Sequence, residues 1–229
     1  QQLNAKMFLA DERGLNETAW LRSWNTFNFG KYQLEHKQPF GDVYVLNDDT
    51  LDGGRSLRML VEEGSYIILL PVVGAIAYKD STGNDTLLAA GQIQLLTLEG
   101  GSTIELTNPF AQEPVNFLQL WIRVRPGSAI MKYCLSTYDV NEFQNSLLKI
   151  SPQSLDTAVP PFSISIGKFS GRGETIYTPA NKSAGVFLFT IEGAFEANGC
   201  LLQARDGLAL KQTTEVEIEA LSNEAIILL

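Results

Sequence analysis

The sequence predicts an all-β protein built from two tandem β-barrels with short accessory helices. Three observations carry that expectation: apolar residues recur with a period of two, glycine and proline punctuate them regularly, and one strand–turn pattern occurs twice. Leu118, Leu120, Ile122 and Val124 alternate with Gln119, Trp121 and Arg123. Ile164 and Ile166 alternate with serines, and Val216 and Ile218 alternate with Glu215, Glu217 and Glu219. Such alternation places one face of a strand on a core and the other on solvent. Residues 67–70 and 186–191 are apolar on both faces, as in the middle of a sandwich or barrel. The 19 glycines and nine prolines break these runs at intervals that fit turns between short strands.

Taken in chain order, residues 16–20 predict a short helical turn, with Trp20 and Trp24 four apart on one face. The longest uncharged apolar stretch, Gly64 to Tyr78, is broken by Pro71 and Gly74. It is shorter than the roughly 20 residues that span a bilayer. Residues 139–148 predict a second short helix, with Val140, Phe143 and Leu147 as its buried stripe. Residues 151–161, rich in Ser and Pro, read as a linker. The expected organisation is an N-terminal barrel over 1–125, a connecting segment over 126–161 and a C-terminal barrel over 162–229.

The repeat is the third of these observations. Val73-Gly74-Ala75, Gly83 and Ala89-Ala90-Gly91-Gln92-Ile93 in the first half answer to Glu192-Gly193-Ala194, Gly199 and Arg205-Asp206-Gly207-Leu208-Ala209 in the second. The step from Gly83 to Gly91 equals that from Gly199 to Gly207. Each unit is a strand, a glycine-assisted hairpin and a second strand entered through a tight glycine turn. Two stacked barrels of one kind follow from it.

Composition narrows the function. With 17 Lys+Arg against 26 Asp+Glu, the 229-residue chain has a net charge of −9, which repels phosphate backbones and anionic lipid headgroups. Nucleic acid and membrane are therefore not expected partners. The single histidine, His36, cannot supply a site that needs two or three imidazoles. Cys134 and Cys200 are too few for a disulfide framework and read as buried free thiols suited to a reducing cytoplasm. Residues 1–6 show no apolar run of signal-peptide length. A cytoplasmic protein is expected.

The glycine pattern resembles the two motifs of the cupin barrel, a double-stranded β-helix or jelly roll. The wider sequence resembles the pirin-like bicupins. The likeness runs through Arg13-Gly14, Trp20-Leu21, Thr26-Phe27-Asn28-Phe29 and Tyr32, then Glu35-His36, Phe40-Gly41, Val43 and Val45-Leu46-Asn47-Asp48-Asp49. It continues in Tyr78-Lys79-Asp80-Ser81-Thr82-Gly83-Asn84 and in residues 114–122. The resemblance implies two tandem cupin barrels. In members with a metal, three histidines and a glutamate of the N-terminal barrel hold it, and some members oxidise flavonols with dioxygen. Counting back from Gly74 and from Asn108-Pro109, the four ligand positions fall on Leu60, Glu62, Ile104 and Leu106. Two further positions that often carry histidine read Asn25 and Asn116.

Leucine and isoleucine have no donor atom, so no metal and no other cofactor is expected. Glu62 and Glu63 read as a solvated pair at a strand end, against a role as acid/base carboxylates. Asn47-Asp48-Asp49 with Asp52 reads as a turn rather than a calcium loop. Trp20, Trp24 and Trp121 read as packing residues. The expected function is a non-catalytic module for an unidentified small molecule or protein. The alternatives are a metal-independent lyase or isomerase using Glu62 or pocket-lining Tyr66 and, third, a quercetinase-like dioxygenase.

Overall fold

Alternating apolar residues leave each segment with a face to bury. The computed structural model, which describes residues 4–150, 159–181 and 184–229, meets that need with strands and two 3-10 turns, Ala10–Glu12 and Glu35–Lys37. The chain forms two units, each a larger and a smaller antiparallel sheet around its own apolar core.

The unit of residues 14–138 has a seven-stranded sheet. Its strands lie in the order Cys134–Thr137, Gln92–Leu98, Ser65–Val73, Val115–Arg123, Val43–Leu51, Leu21–Asn25 and Gly14–Glu17. The four-stranded sheet orders Ser56–Leu60, Thr103–Thr107, Ala75–Asp80 and Asp85–Ala89. Between them lie Val45, Leu51, Ile67, Leu69, Ile76, Tyr78, Leu96, Leu98, Phe117 and Trp121. The outward face of the smaller sheet carries Arg58, Glu105, Lys79 and Asp85 side by side on its four strands, so opposite charges alternate across it. Such cross-strand pairs favour this register.

The other unit combines residues 4–13, 139–150 and 162–229. Its larger sheet orders Asn4–Phe8, Gly207–Lys211, Val186–Glu192, Ala225–Leu228, Ile164–Phe169 and Ser146–Ile150. Its smaller sheet orders Glu174–Tyr177, Val216–Ala220, Phe195–Ala197 and Cys200–Leu202. The repeated pattern occupies matching places in both units. Gly74 (φ +82°) and Gly193 (φ +76°) each end the long inner strand with a left-handed residue. A Cβ would meet Val115 at 2.8 Å in the first case and Ser222 at 2.5 Å in the second. At the tight turn the two units differ. Gly91 takes a positive φ, whereas in the second unit Arg205 does so, and Gly207 is instead held against the ring of Phe187.

Several expectations need correction. The first strand, Asn4–Phe8, pairs along its whole length with Gly207–Lys211, so the 1–125 barrel boundary divides differently in the structure. Residues 126–150 of the expected connector hold two strands that enter different units: Cys134–Thr137 pairs with Gln92–Leu98, and Ser146–Ile150 with Ile164–Phe169. Most of the expected linker, 151–158, lies outside the described residues. The two helices are absent. Asn16 and Glu17 belong to a strand whose hairpin is closed by Thr18 Oγ1 accepting from Trp20 and Leu21, and Ser146–Leu148 are extended. Cross-strand pairing overrides weak helical spacing in both segments. Among the described residues no helix is long and apolar enough to cross a membrane.

Candidate functional site

The interior of the 14–138 barrel is the natural place to look, because inward side chains of both sheets converge there. On the small sheet, Met59 and Val61 face inward beside Ile104 and Leu106. Val61, Ile104 and Leu106 are fully buried, packed with Ile76, Tyr78 and Leu88. Leu60 is 56 % exposed, and Glu62 lies on the surface beyond the strand end. The four counted positions therefore do not meet. Ile104 and Leu106 are inside, while Leu60 and Glu62 point out.

The parity is set by the pairing of Ser56–Leu60 with Thr103–Thr107, which stands Met59 opposite Ile104 and Leu57 opposite Leu106 and leaves Leu60 on the outer face. Tyr66 does not belong to the core between the two sheets. It sits on the face of its strand opposite Ile67 and Leu69, with its hydroxyl donating to Ala129 O at 2.5 Å. Burial raises its pKa. His36 is exposed in a 3-10 turn, and Glu63 is exposed and paired with Arg123 at 2.8 Å.

The large sheet brings something the sequence reading did not. Asn47, Asp48 and Asp49 are not a turn but part of the strand Val43–Leu51. Val45, Asn47, Asp49 and Leu51 share its inward face, Asp48 takes the other, and Asp52 is exposed past its end. No oxygen site is shared among them. Opposite stand Ser23 and Asn25, paired with Asp49 and Asn47, and on the other side Gln119, paired with Asn47. Gln119 was expected on a solvent face. It lies inside instead, on a strand buried on both sides, between Phe117 and Trp121.

These side chains form one chain of hydrogen bonds. Asn16 Nδ2 donates to Asn25 Oδ1 at 2.5 Å, and Asn25 Nδ2 donates to Asn47 Oδ1 at 2.8 Å and Ser23 Oγ at 3.0 Å. Gln119 Nε2 donates to Asp49 Oδ2, and Trp121 Nε1 donates to Gln119 Oε1 at 3.3 Å. Gln119 Nε2 also reaches Met59 Sδ at 3.6 Å, which ties the polar strip to the small sheet. Asp49 Oδ1 has no hydrogen-bond partner among the described residues. Burial pushes the Asp49 carboxyl up to about 7, and hydrogen bonds from Ser23 and Gln119 offset this only in part. Gln94, at period two with Leu96 and Leu98, is likewise buried, and among the described residues neither of its amide atoms has a hydrogen-bond partner. The strip could have been found by parity: Val45 and Leu51 bracket Asn47 and Asp49 at even spacing, which a strand requires and a turn does not.

Asn116, the other position weighed for histidine, faces away and donates to Asp48 Oδ1 at 2.8 Å. Trp121 is buried in the core, Trp20 packs against its edge, and Cys134 and Cys200 are free thiols, the first buried and the second half-buried. In the other barrel Phe169, Leu188, Phe195, Leu208, Ile218 and Ile227 form an apolar cluster, and Thr190 is fully buried at period two with Val186 and Leu188.

Residues 9–122 match the Pirin family profile, and residues 162–229 match that of the quercetinase C-terminal cupin domain. The chain is a pirin-like bicupin. It is 24 % identical to a quercetin 2,3-dioxygenase of Escherichia coli K12, over 96 % of this chain and 95 % of that protein. A pirin-like protein of Caulobacter vibrioides is 23 % identical over 95 % of each chain. The fold is shared with the crystal structure of the bacterial pirin YhhW from Escherichia coli in complex with nickel(II). That comparison has a TM-score of 0.81 and 22 % identity, and it covers 98 % of this chain and 97 % of that one.

Proposed function

We propose that this pirin-like bicupin holds no metal in its N-terminal barrel and acts as a binding or protein-interaction module. The observation that carries this reading is the chemistry of the inward side chains Met59, Val61, Ile104 and Leu106. They offer one thioether and three hydrocarbons where a redox metal wants imidazole and carboxylate. The one inward carboxyl nearby, Asp49, is pushed up to about 7 by its burial, so its charged form is disfavoured there, which suits a hydrogen-bond network better than a cation. These residues do not fit a metal, and the close packing around Ile104 and Leu106 leaves no solvent-accessible face on either.

Elemental analysis of protein purified without chelator tests the reading. The expected result is well below one equivalent of nickel, iron, manganese, copper or zinc. After loading with each metal, quercetin turnover is expected to equal that of heat-denatured protein. One tightly bound equivalent, or turnover above that control, would restore the dioxygenase reading.

One observation favours a second reading, a metal-independent lyase or isomerase. Asp49 titrates near neutrality inside the barrel, the range suited to a general acid or base. Glu62 and Tyr66 do not serve that reading, because neither faces the interior. Against it stands the complete burial of Asp49.

A further inference from the structure

The small sheets of the two units share a topology but not a surface. In the 14–138 unit the outward row alternates Arg58, Glu105, Lys79 and Asp85. In the other unit the matching outward row reads Glu174, Glu219, Glu196 and Leu201, set directly opposite one another across four strands. Glu217 and Ile176 form the next row. Neighbouring strands are about 4.8 Å apart, so like charges in register repel and weaken the sheet that carries them. Arg172 pairs with Glu219 at 3.2 Å, whereas among the described residues Glu174, Glu196 and Glu217 make no ion pair. At the two edges Ile176 is 61 % and Leu201 62 % exposed. A strip of carboxylates flanked by two bare aliphatic side chains is complementary to one chemistry.

We propose that this outward sheet face docks a basic polypeptide segment whose lysines or arginines cross the Glu174–Glu219–Glu196 row and whose aliphatic residues cover Ile176 and Leu201. The occupant is a positively charged protein partner, because an anionic lipid or nucleic acid is repelled by the same row. The proposal rests on the reading of this chain as an interaction module and names the partner's chemistry. It does not involve the N-terminal barrel interior.

The probe is a fluorescein-labelled Lys-Leu-Lys-Gly repeat peptide, titrated with the full-length protein and followed by anisotropy. Binding is expected at low salt and should weaken steeply from about 50 to 300 mM salt. The combined variant Glu174→Gln, Glu196→Gln and Glu217→Gln should lose affinity about tenfold or more. It should also melt at a higher temperature, since it relieves repulsion, so loss of binding is not loss of fold. Replacing Glu35, Glu99 and Glu113 of the other unit by glutamine removes the same charge and should leave binding within about twofold. Ile176→Ser with Leu201→Ser should weaken the salt-resistant part. Equal losses in the two charge variants, or no binding by the wild type, would overturn the proposal. Metal content, measured on the same preparation, reports separately on the reading beneath it.

Discussion

Asp49→Asn should make the protein more stable at pH 8 and remove much of its pH dependence between pH 4 and 7. The carboxyl ionises at 3.8 in an unfolded chain but only at about 7 in the folded barrel, where burial disfavours the charge. Between those values the unfolded state has lost the proton while the native state still binds it, so native stability falls as pH rises. The full contribution is present below the unfolded value. It is lost progressively until the folded pKa is passed and stays lost above it. The difference between these two values corresponds to a total of about 4 kcal/mol. Asparagine keeps an acceptor for Gln119 Nε2 and never ionises, so its profile through this window should be flatter by that order. Urea denaturation of both proteins at several pH values measures it. Parallel decline of wild type and variant from pH 4 to 8 would show that Asp49 is not the responsible group.

Leu106→Ala should cost about 3 kcal/mol, whereas Leu60→Ala should cost less than about 0.5 kcal/mol. The two residues were counted into one ligand set, yet Leu106 is enclosed by the core while Leu60 is more than half exposed. Truncation of the first leaves a cavity between two sheets that cannot collapse freely, and truncation of the second removes a side chain already facing water. Comparable losses at both positions would mean that Leu60 packs inside and that the inward pair is not Met59 and Val61.

How much of this was legible beforehand depends on the range of the interaction concerned. The two-barrel fold followed from patterns written locally. Val216 to Glu219 alternate as a half-buried strand should, and Gly74 and Gly193 mark the same left-handed junction in each half. The partner of Asn4–Phe8 was not legible, because pairing with residues some two hundred positions away leaves no local trace. At the site, the single histidine could be read from composition, but the parity could not. The pairing of Ser56–Leu60 with Thr103–Thr107 decides which of its residues look inward, and a pairing between strands separated in sequence leaves no local trace. The buried strip was overlooked for a related reason. Three polar residues in a row resemble a turn when taken alone, and only their neighbours Ser23, Asn25 and Gln119 give them hydrogen-bond partners inside the barrel.

The pairing of Asn4–Phe8 with Gly207–Lys211 bears on how the chain is made. Asn4–Phe8 leaves a ribosome before the whole 14–138 unit, yet it belongs to the unit whose remaining strands follow that unit. That inner barrel can complete its sheets as soon as Tyr138 has emerged. The outer one must keep an unpaired strand waiting until Lys211 appears. During synthesis that strand carries open backbone donors and acceptors, the kind of edge that attracts wrong partners. A fragment cut at residue 162 would inherit the same problem permanently, presenting Gly207–Lys211 as a bare edge.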